Sequence, residues 1–153
     1  MANTYTQIYL QLVFSVKGRQ NLIQISWKDE LHKYICGIVN GKQQKVFAIG
    51  GMSDHIHILV SLKPTIALSD LVREIKSNSS KWINEKGFIN GKFQWQEGFG
   101  AFSYSQSQLD TVISYINNQE VHHQTKSFKE EYIETLKTFN LEYEDKFLFD
   151  WIE

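Results

Sequence analysis

GGMSDHIHILVSL, residues 50–62, sets two histidines one residue apart in an apolar run that follows a Gly-Gly pair. In a strand, side chains two positions apart point the same way, so His55 and His57 share one face while Ile56, Ile58, Val60 and Leu62 take the other. The aliphatic side is the one to bury against helices. The histidine side becomes a two-imidazole edge able to converge on a metal ion or a phosphate with little ordering cost.

The flanking sequence supplies the frame. Residues 5–17 alternate, with Ile8, Leu10, Leu12, Phe14 and Val16 opposite Gln7, Tyr9, Gln11, Val13 and Ser15, a half-buried strand. SWKDELHKYICGIVNGKQ reads as a helix, capped at Ser26, apolar at Leu31, Tyr34, Ile35 and Ile38, and ended by Gly41. KVFAIGG is a short strand before the histidine strand. From Leu68, the positions Leu71, Val72, Ile75, Trp82 and Ile83 recur at helical spacing, leaving Arg73, Lys76 and Lys81 outward. FQWQEGFGAFSYS is strand-like with a bend at Gly98 and Gly100. Strand, helix, strand, strand, helix, strand is the split βαβ order. The expected fold is therefore α+β and ferredoxin-like: an antiparallel sheet with helices on one face, an open face bearing His55 and His57, and a further C-terminal helix and tail.

At 153 residues with a single proline and no repeats, the chain is expected to form one domain, with a core over about 4–124 and a tail over about 125–153. The lone cysteine, Cys36, has no disulfide partner and reads as a small buried side chain. The first residues alternate instead of forming a basic head and an apolar run, and no stretch reaches membrane length. A cytoplasmic protein without membrane contact is expected. The net charge of −1 conceals an asymmetry: residues 1–128 hold 13 Lys and Arg against 9 Asp and Glu, whereas 129–153 hold 3 against 8. A mildly basic body is compatible with phosphate contacts and equally with an ordinary solvated surface.

SQSQLDTVISYINNQEVHHQ, residues 105–124, forms a second constellation. Ser107 and Asp110 resemble a capping box, and Leu109, Val112, Ile113 and Ile116 make an apolar stripe. Tyr115 and Gln119, four apart, stack on one side of that helix at the margin of the stripe. A lone helical tyrosine in such a place is ordinarily a core-edge residue.

HIH in the strand followed by the helical YINNQ resembles the HUH-type single-tyrosine transposases of the insertion-sequence-200 kind and the REP-associated tyrosine transposases. The resemblance runs from the first strand through MSDHIHILVSL, LVREIKSNSSKWI and WQEGFGAFSYS to YINNQEVHH. It implies His55, His57 and Gln119 as metal ligands and Tyr115 as nucleophile. It also implies single-stranded DNA, with a hairpin at an element's end, as partner. A homodimer that delivers each tyrosine helix to the other chain's histidines is implied as well. No functional residue is carried past His123.

The chemistry is coherent. An unperturbed phenol is only on the order of 0.1% ionised at pH 7, so its attack needs help, and a divalent ion can polarise a phosphodiester and offset developing charge. Two nitrogens and an amide oxygen suit Mn²⁺ better than Mg²⁺, with Mg²⁺ kept open on grounds of abundance. A flexible single strand can follow a basic groove, for which Arg73, Lys76 and Lys81 are the candidates, near Trp82, Phe93 and Trp95; the same residues also fit a solvated face over core aromatics. A histidine-triad hydrolase would need a third His where Leu59 stands. The alternative from another class is an inactive ferredoxin-like nucleic-acid binder or repressor.

Overall fold

The computed structural model describes residues 3–119 and 127–141. The N-terminal strand β1 (Tyr9–Ser15) is followed by α1 (Ile25–Gly41), β2 (Lys45–Gly51), β3 (His55–Ser61), α2 (Leu68–Lys86), β4 (Gly100–Tyr104), α3 (Leu109–Asn117) and α4 (Phe128–Thr138). The sheet is antiparallel throughout and ordered β2-β3-β1-β4, the split βαβ arrangement read from the sequence.

One face carries the main core. Leu12, Phe14, Ile56, Ile58 and Val60 are fully buried against Leu31, Ile35 and Val39 of α1 and Leu71, Ile75 and Ile83 of α2. At about 1.5–3 kcal/mol for each large apolar side chain removed from water, this layer dominates the stability. Phe93 and Trp95 insert here too, with the Trp95 indole N–H donating to Ser79 Oγ at 2.9 Å. They are core residues, as is half-buried Trp82, stacked on Tyr34 with ring centroids 4.6 Å apart. Two helix starts differ from expectation. Ser26 lies inside α1, whose N-cap is Gln24, and the buried stripe begins at Trp27, one turn before Leu31. At the start of α3 the capping exchange involves Ser105 and Gln108, with the Ser105 N–H donating to Gln108 Oε1 at 2.9 Å, so Ser107 and Asp110 do not form the box.

The second face is not open. The register sets Val13 beside His57, Ser15 beside His55, and Gly50 on the other side of His57. Val112 and Ile116 of α3 pack on Ala48 and Leu59, while Phe128, Tyr132 and Leu136 of α4 pack on Val13 and Phe102. The small residues of β2 permit the first contact: a Cβ on Gly50 would stand 2.2 Å from the Ile116 carbonyl oxygen. The second helix begins at a capped turn, where Ser127 Oγ accepts from the Glu130 N–H at 3.2 Å. The alternation of Phe147, Phe149 and Trp151 in the sequence suits a docked terminal strand, and these residues lie outside the described ones.

Candidate active site

His55 and His57 stand mid-sheet under α3 and α4, with 0% and 3% of their surface exposed. Each ring is held at Nδ1. His55 Nδ1 lies 2.7 Å from Asp54 Oδ1, and Asp54 is gripped in turn by Arg19, whose Nε and Nη2 donate to Oδ2 at 2.9 and 2.5 Å. His57 Nδ1 lies 2.8 Å from Gln11 Oε1, whose own Nε2 donates to the Tyr104 hydroxyl at 2.9 Å. Both partners of Nδ1 are acceptors, so each Nδ1 carries a hydrogen, and a ring in its neutral form turns an Nε2 lone pair toward the helices.

What faces those nitrogens is again acceptor oxygen. His55 Nε2 is 3.2 Å from Gln119 Oε1, and His57 Nε2 is 2.9 Å from Glu131 Oε1, which also lies 4.0 Å from His55 Nε2. A neutral imidazole cannot donate from both nitrogens, so lone pairs from four side chains converge on one point. A cation satisfies such a set, and the fixed Nδ1 partners are the outer hydrogen bonds that orient imidazole ligands. His55, His57 and Glu131 present ligand atoms all within 4.8 Å of one another and all buried, a group that could bind a metal. Spacings of about 3–4 Å are those of ligands around an ion at roughly 2.1 Å.

Ionisation agrees. Burial lowers the His55 pKa, more than its Asp54 hydrogen bond restores it, and so favours the neutral, ligating form. For Asp54 burial acts upward, but the hydrogen bonds and charges of His55 and Arg19 prevail and keep it below the usual carboxylate range. The Phe128 ring stacks on His55 at 4.0 Å between centroids and 4° between planes, closing the site from α4.

Tyr115 is brought to this centre within the same chain. Its ring centroid lies 6.0 Å from that of His57, and its hydroxyl donates to Glu131 Oε2. Burial, and then the Glu131 charge and hydrogen bond, push its phenol well above the ordinary tyrosine pKa. Added positive charge beside Glu131 opposes that effect. A cavity of about 640 Å³ between α3 and α4 opens on the Tyr115–Glu131 pair, with Gln11, Tyr104, Thr111 and Thr135 also on its wall.

The structure thus gathers His55, His57, Tyr115 and Gln119, and adds four side chains to them. Gln11, Arg19 and Asp54 hold the rings; Glu131 faces them from α4. Glu131 had one legible signal, a carboxylate inside the apolar stripe Phe128–Tyr132–Leu136.

The family described as Transposase IS200 like matches residues 4–119. The chain belongs to that family. Among relatives of this IS200-like transposase, the ISDra2 transposase TnpA of Deinococcus radiodurans is 24% identical over 118 residues, 74% of this chain and 84% of the relative. A crystal structure of a candidate transposase from Deinococcus radiodurans R1 superposes with a TM-score of 0.63 at 18% identity, covering 78% of this chain and 95% of that one. A REP-associated tyrosine transposase bound to a REP hairpin gives 0.59 at 16% identity, covering 80% and 73%.

The cations expected to meet DNA in this IS200-like transposase sit on α2, which covers the sheet face opposite the histidines. Arg73 and Lys81 are exposed, and Arg73 pairs with Asp70 at 2.9 Å. Lys76 differs from expectation. Its ammonium donates to the Gln96 and Gly98 carbonyls at 2.8 and 2.6 Å, and burial lowers its pKa to about 8, so it ties α2 to the 92–99 segment. Between those two elements runs a groove of about 900 Å³, with Lys17 and Lys92 beside Arg73 and Lys81. No helix among the described residues is long and apolar enough to cross a membrane.

Proposed function

We propose that this IS200-like transposase cuts and rejoins single-stranded DNA through a 5′-phosphotyrosine, with Tyr115 as nucleophile and a divalent ion, Mn²⁺ or Mg²⁺, at His55, His57 and Gln119. The observation that carries this reading is the convergence of bare imidazole nitrogens and acceptor oxygens beside a tyrosine hydroxyl. A divalent cation bound there would polarise a phosphodiester and offset charge developing on its oxygens. Tyr115 Oη forms a bond to phosphorus as the P–O3′ bond breaks; the phenol gives up its proton and the leaving 3′ oxygen gains one. The ester energy is kept, so a 3′-hydroxyl can reverse the step without ATP. Asp54 and Gln11 hold both rings in the tautomer that presents Nε2.

The groove beside α2 supports DNA contact through Arg73 and Lys81, with Lys76 bracing its wall, and a hairpin end is the form of DNA proposed for it. A one-domain, cytoplasmic, homodimeric protein belongs to the same reading. Sharing of sites between chains is not required by it, since Tyr115 meets the histidines of its own chain. The test is to incubate the protein, Mn²⁺ and single-stranded oligonucleotides from its own genomic flanks, and to look for a covalent adduct on a denaturing gel. An adduct that requires metal and Tyr115 supports the reading. None with any flank leaves the non-catalytic binder in its place.

A further inference from the structure

The stretch that matches the transposase family ends at residue 119, yet a carboxylate that faces Nε2 of both imidazoles comes from beyond it, on α4. Glu131 is 4% exposed, and its two oxygens have different partners: Oε1 stands 2.9 Å from His57 Nε2 and 4.0 Å from His55 Nε2, while Oε2 accepts from Tyr115. A buried carboxylate is costly unless paired, and it has been set where the bare imidazole nitrogens point. Gln119, two residues past the end of α3, contributes a neutral oxygen beside His55.

We propose that Glu131 is an additional ligand of the divalent ion and, through its second oxygen, the positioning residue for Tyr115. One carboxylate then bridges the ion and the nucleophile, and α4 belongs to the site. This rests on the metal reading above. It adds a hard anionic donor to a nitrogen-rich set, a composition that favours Mn²⁺ over ions preferring nitrogen or sulfur alone. Phe128, stacked on His55 one turn before Glu131, packs α4 against the histidine strand and so sets the approach of Glu131 to the neighbouring His57 ring.

The test measures Mn²⁺ binding by calorimetry and by the loss of the free-ion electron paramagnetic resonance signal, in the full chain without DNA. Wild type is compared with Glu131→Gln, Glu131→Ala, Tyr115→Phe and His57→Ala. Glu131→Gln is close in shape and keeps the fold, which its thermal transition checks. Both Glu131 variants are expected to bind Mn²⁺ at least tenfold more weakly and to lose most of the Mn²⁺-induced rise in melting temperature; Tyr115→Phe is expected to bind as wild type does. At saturating Mn²⁺, Glu131→Gln is expected to lower kcat for adduct formation about tenfold or more, with KM for the oligonucleotide unchanged. Wild-type Mn²⁺ affinity in both Glu131 variants overturns ligation by Glu131 while leaving the two-histidine site standing. An unchanged kcat at saturating Mn²⁺ overturns the positioning role. Wild type that binds no Mn²⁺, or His57→Ala that binds it equally well, overturns the metal reading itself and this proposal with it.

Discussion

Gly50→Ala tests whether α3, which carries Tyr115, is seated by its contact with β2. The added methyl would lie 2.2 Å from the Ile116 carbonyl oxygen and 3.2 Å from Ile116 Cγ2, where ordinary contact begins near 3.4 Å. Relief means a retreat of about 1.2 Å by α3, because the other party is helix backbone and not the far end of a flexible side chain. Overpacking of this kind costs about 1–3 kcal/mol. The same retreat lifts Val112 and Ile116 off Ala48 and Leu59, and it carries Tyr115 away from the histidines. A displacement near 1 Å costs on the order of 100-fold in a reaction that depends on alignment. The expected result is a urea midpoint lowered by the equivalent of about 2 kcal/mol, together with adduct formation slowed about 100-fold at a temperature where the variant is folded. Gly41→Ala is the control, for a methyl at this helix-terminal glycine has nothing within 4 Å. If Gly50→Ala kept both wild-type stability and wild-type cleavage, α3 would not be seated on β2 as described.

Tyr115→Phe is expected to abolish the covalent adduct while leaving Mn²⁺ and DNA binding near wild type, since only one oxygen is lost at the cavity edge; residual adduct at wild-type level would assign the nucleophile elsewhere. Mixed His57→Ala and Tyr115→Phe proteins are expected to restore no cleavage on the arrangement in which Tyr115 stands 6.0 Å, between ring centroids, from His57 of its own chain; recovery in exchanging subunits would establish shared sites. Replacing Arg73 or Lys81 by Ala should weaken single-strand and hairpin binding across sequences and reduce the salt slope by about one ion each, measured by fluorescence anisotropy; an unchanged slope removes the groove from the DNA path. His32, whose pKa falls to about 4 through burial and the nearby Lys28 charge, opposed by Asp29, binds its proton in the unfolded chain from about pH 6.5 but in the folded chain only near 4. Stability should therefore fall as pH drops below 6.5, by about 2 kcal/mol at pH 5 from this group, and His32→Gln should remove that share of the slope in denaturant titrations at pH 7.5 and 5; identical slopes would refute it.

The sheet was legible because its period is two and one set of alternating positions is aliphatic. Leu12, Phe14, Ile56, Ile58 and Val60 could only face a core. The histidine pair was legible for the same reason, since strand parity alone puts His55 beside His57. Parity does not say whether a face bearing Gln11, Ser15 and two histidines meets water or meets more protein. In this chain Gln11 holds His57 and Tyr104, Asp54 holds His55, and Gln119 and Glu131 stand over the remaining imidazole nitrogens, so the polar groups of this face are answered within the protein, apart from the Ser15 hydroxyl. An alternation of polar and apolar residues looks the same in either case.

The lysines show the converse limit. Helical spacing places Lys76 outward with Arg73 and Lys81, yet whether an outward cation is free depends on what runs alongside the helix. The 92–99 segment, turned into the core at Phe93 and Trp95, brings two backbone carbonyls to Lys76 and spends its charge on structure. Glu131 was hidden by composition: among eight acidic residues in 129–153, one carboxylate draws no notice, and its histidine partners lie more than seventy positions away along the chain. What distinguishes it is its place between Phe128 and Tyr132 on the buried side of α4. A charge in an apolar stripe must be answered by a partner across the interface, and here that partner is the histidine strand. The last ligand of such a centre is therefore to be sought where an amphipathic helix breaks its own pattern, even when it falls outside the stretch that family resemblance covers.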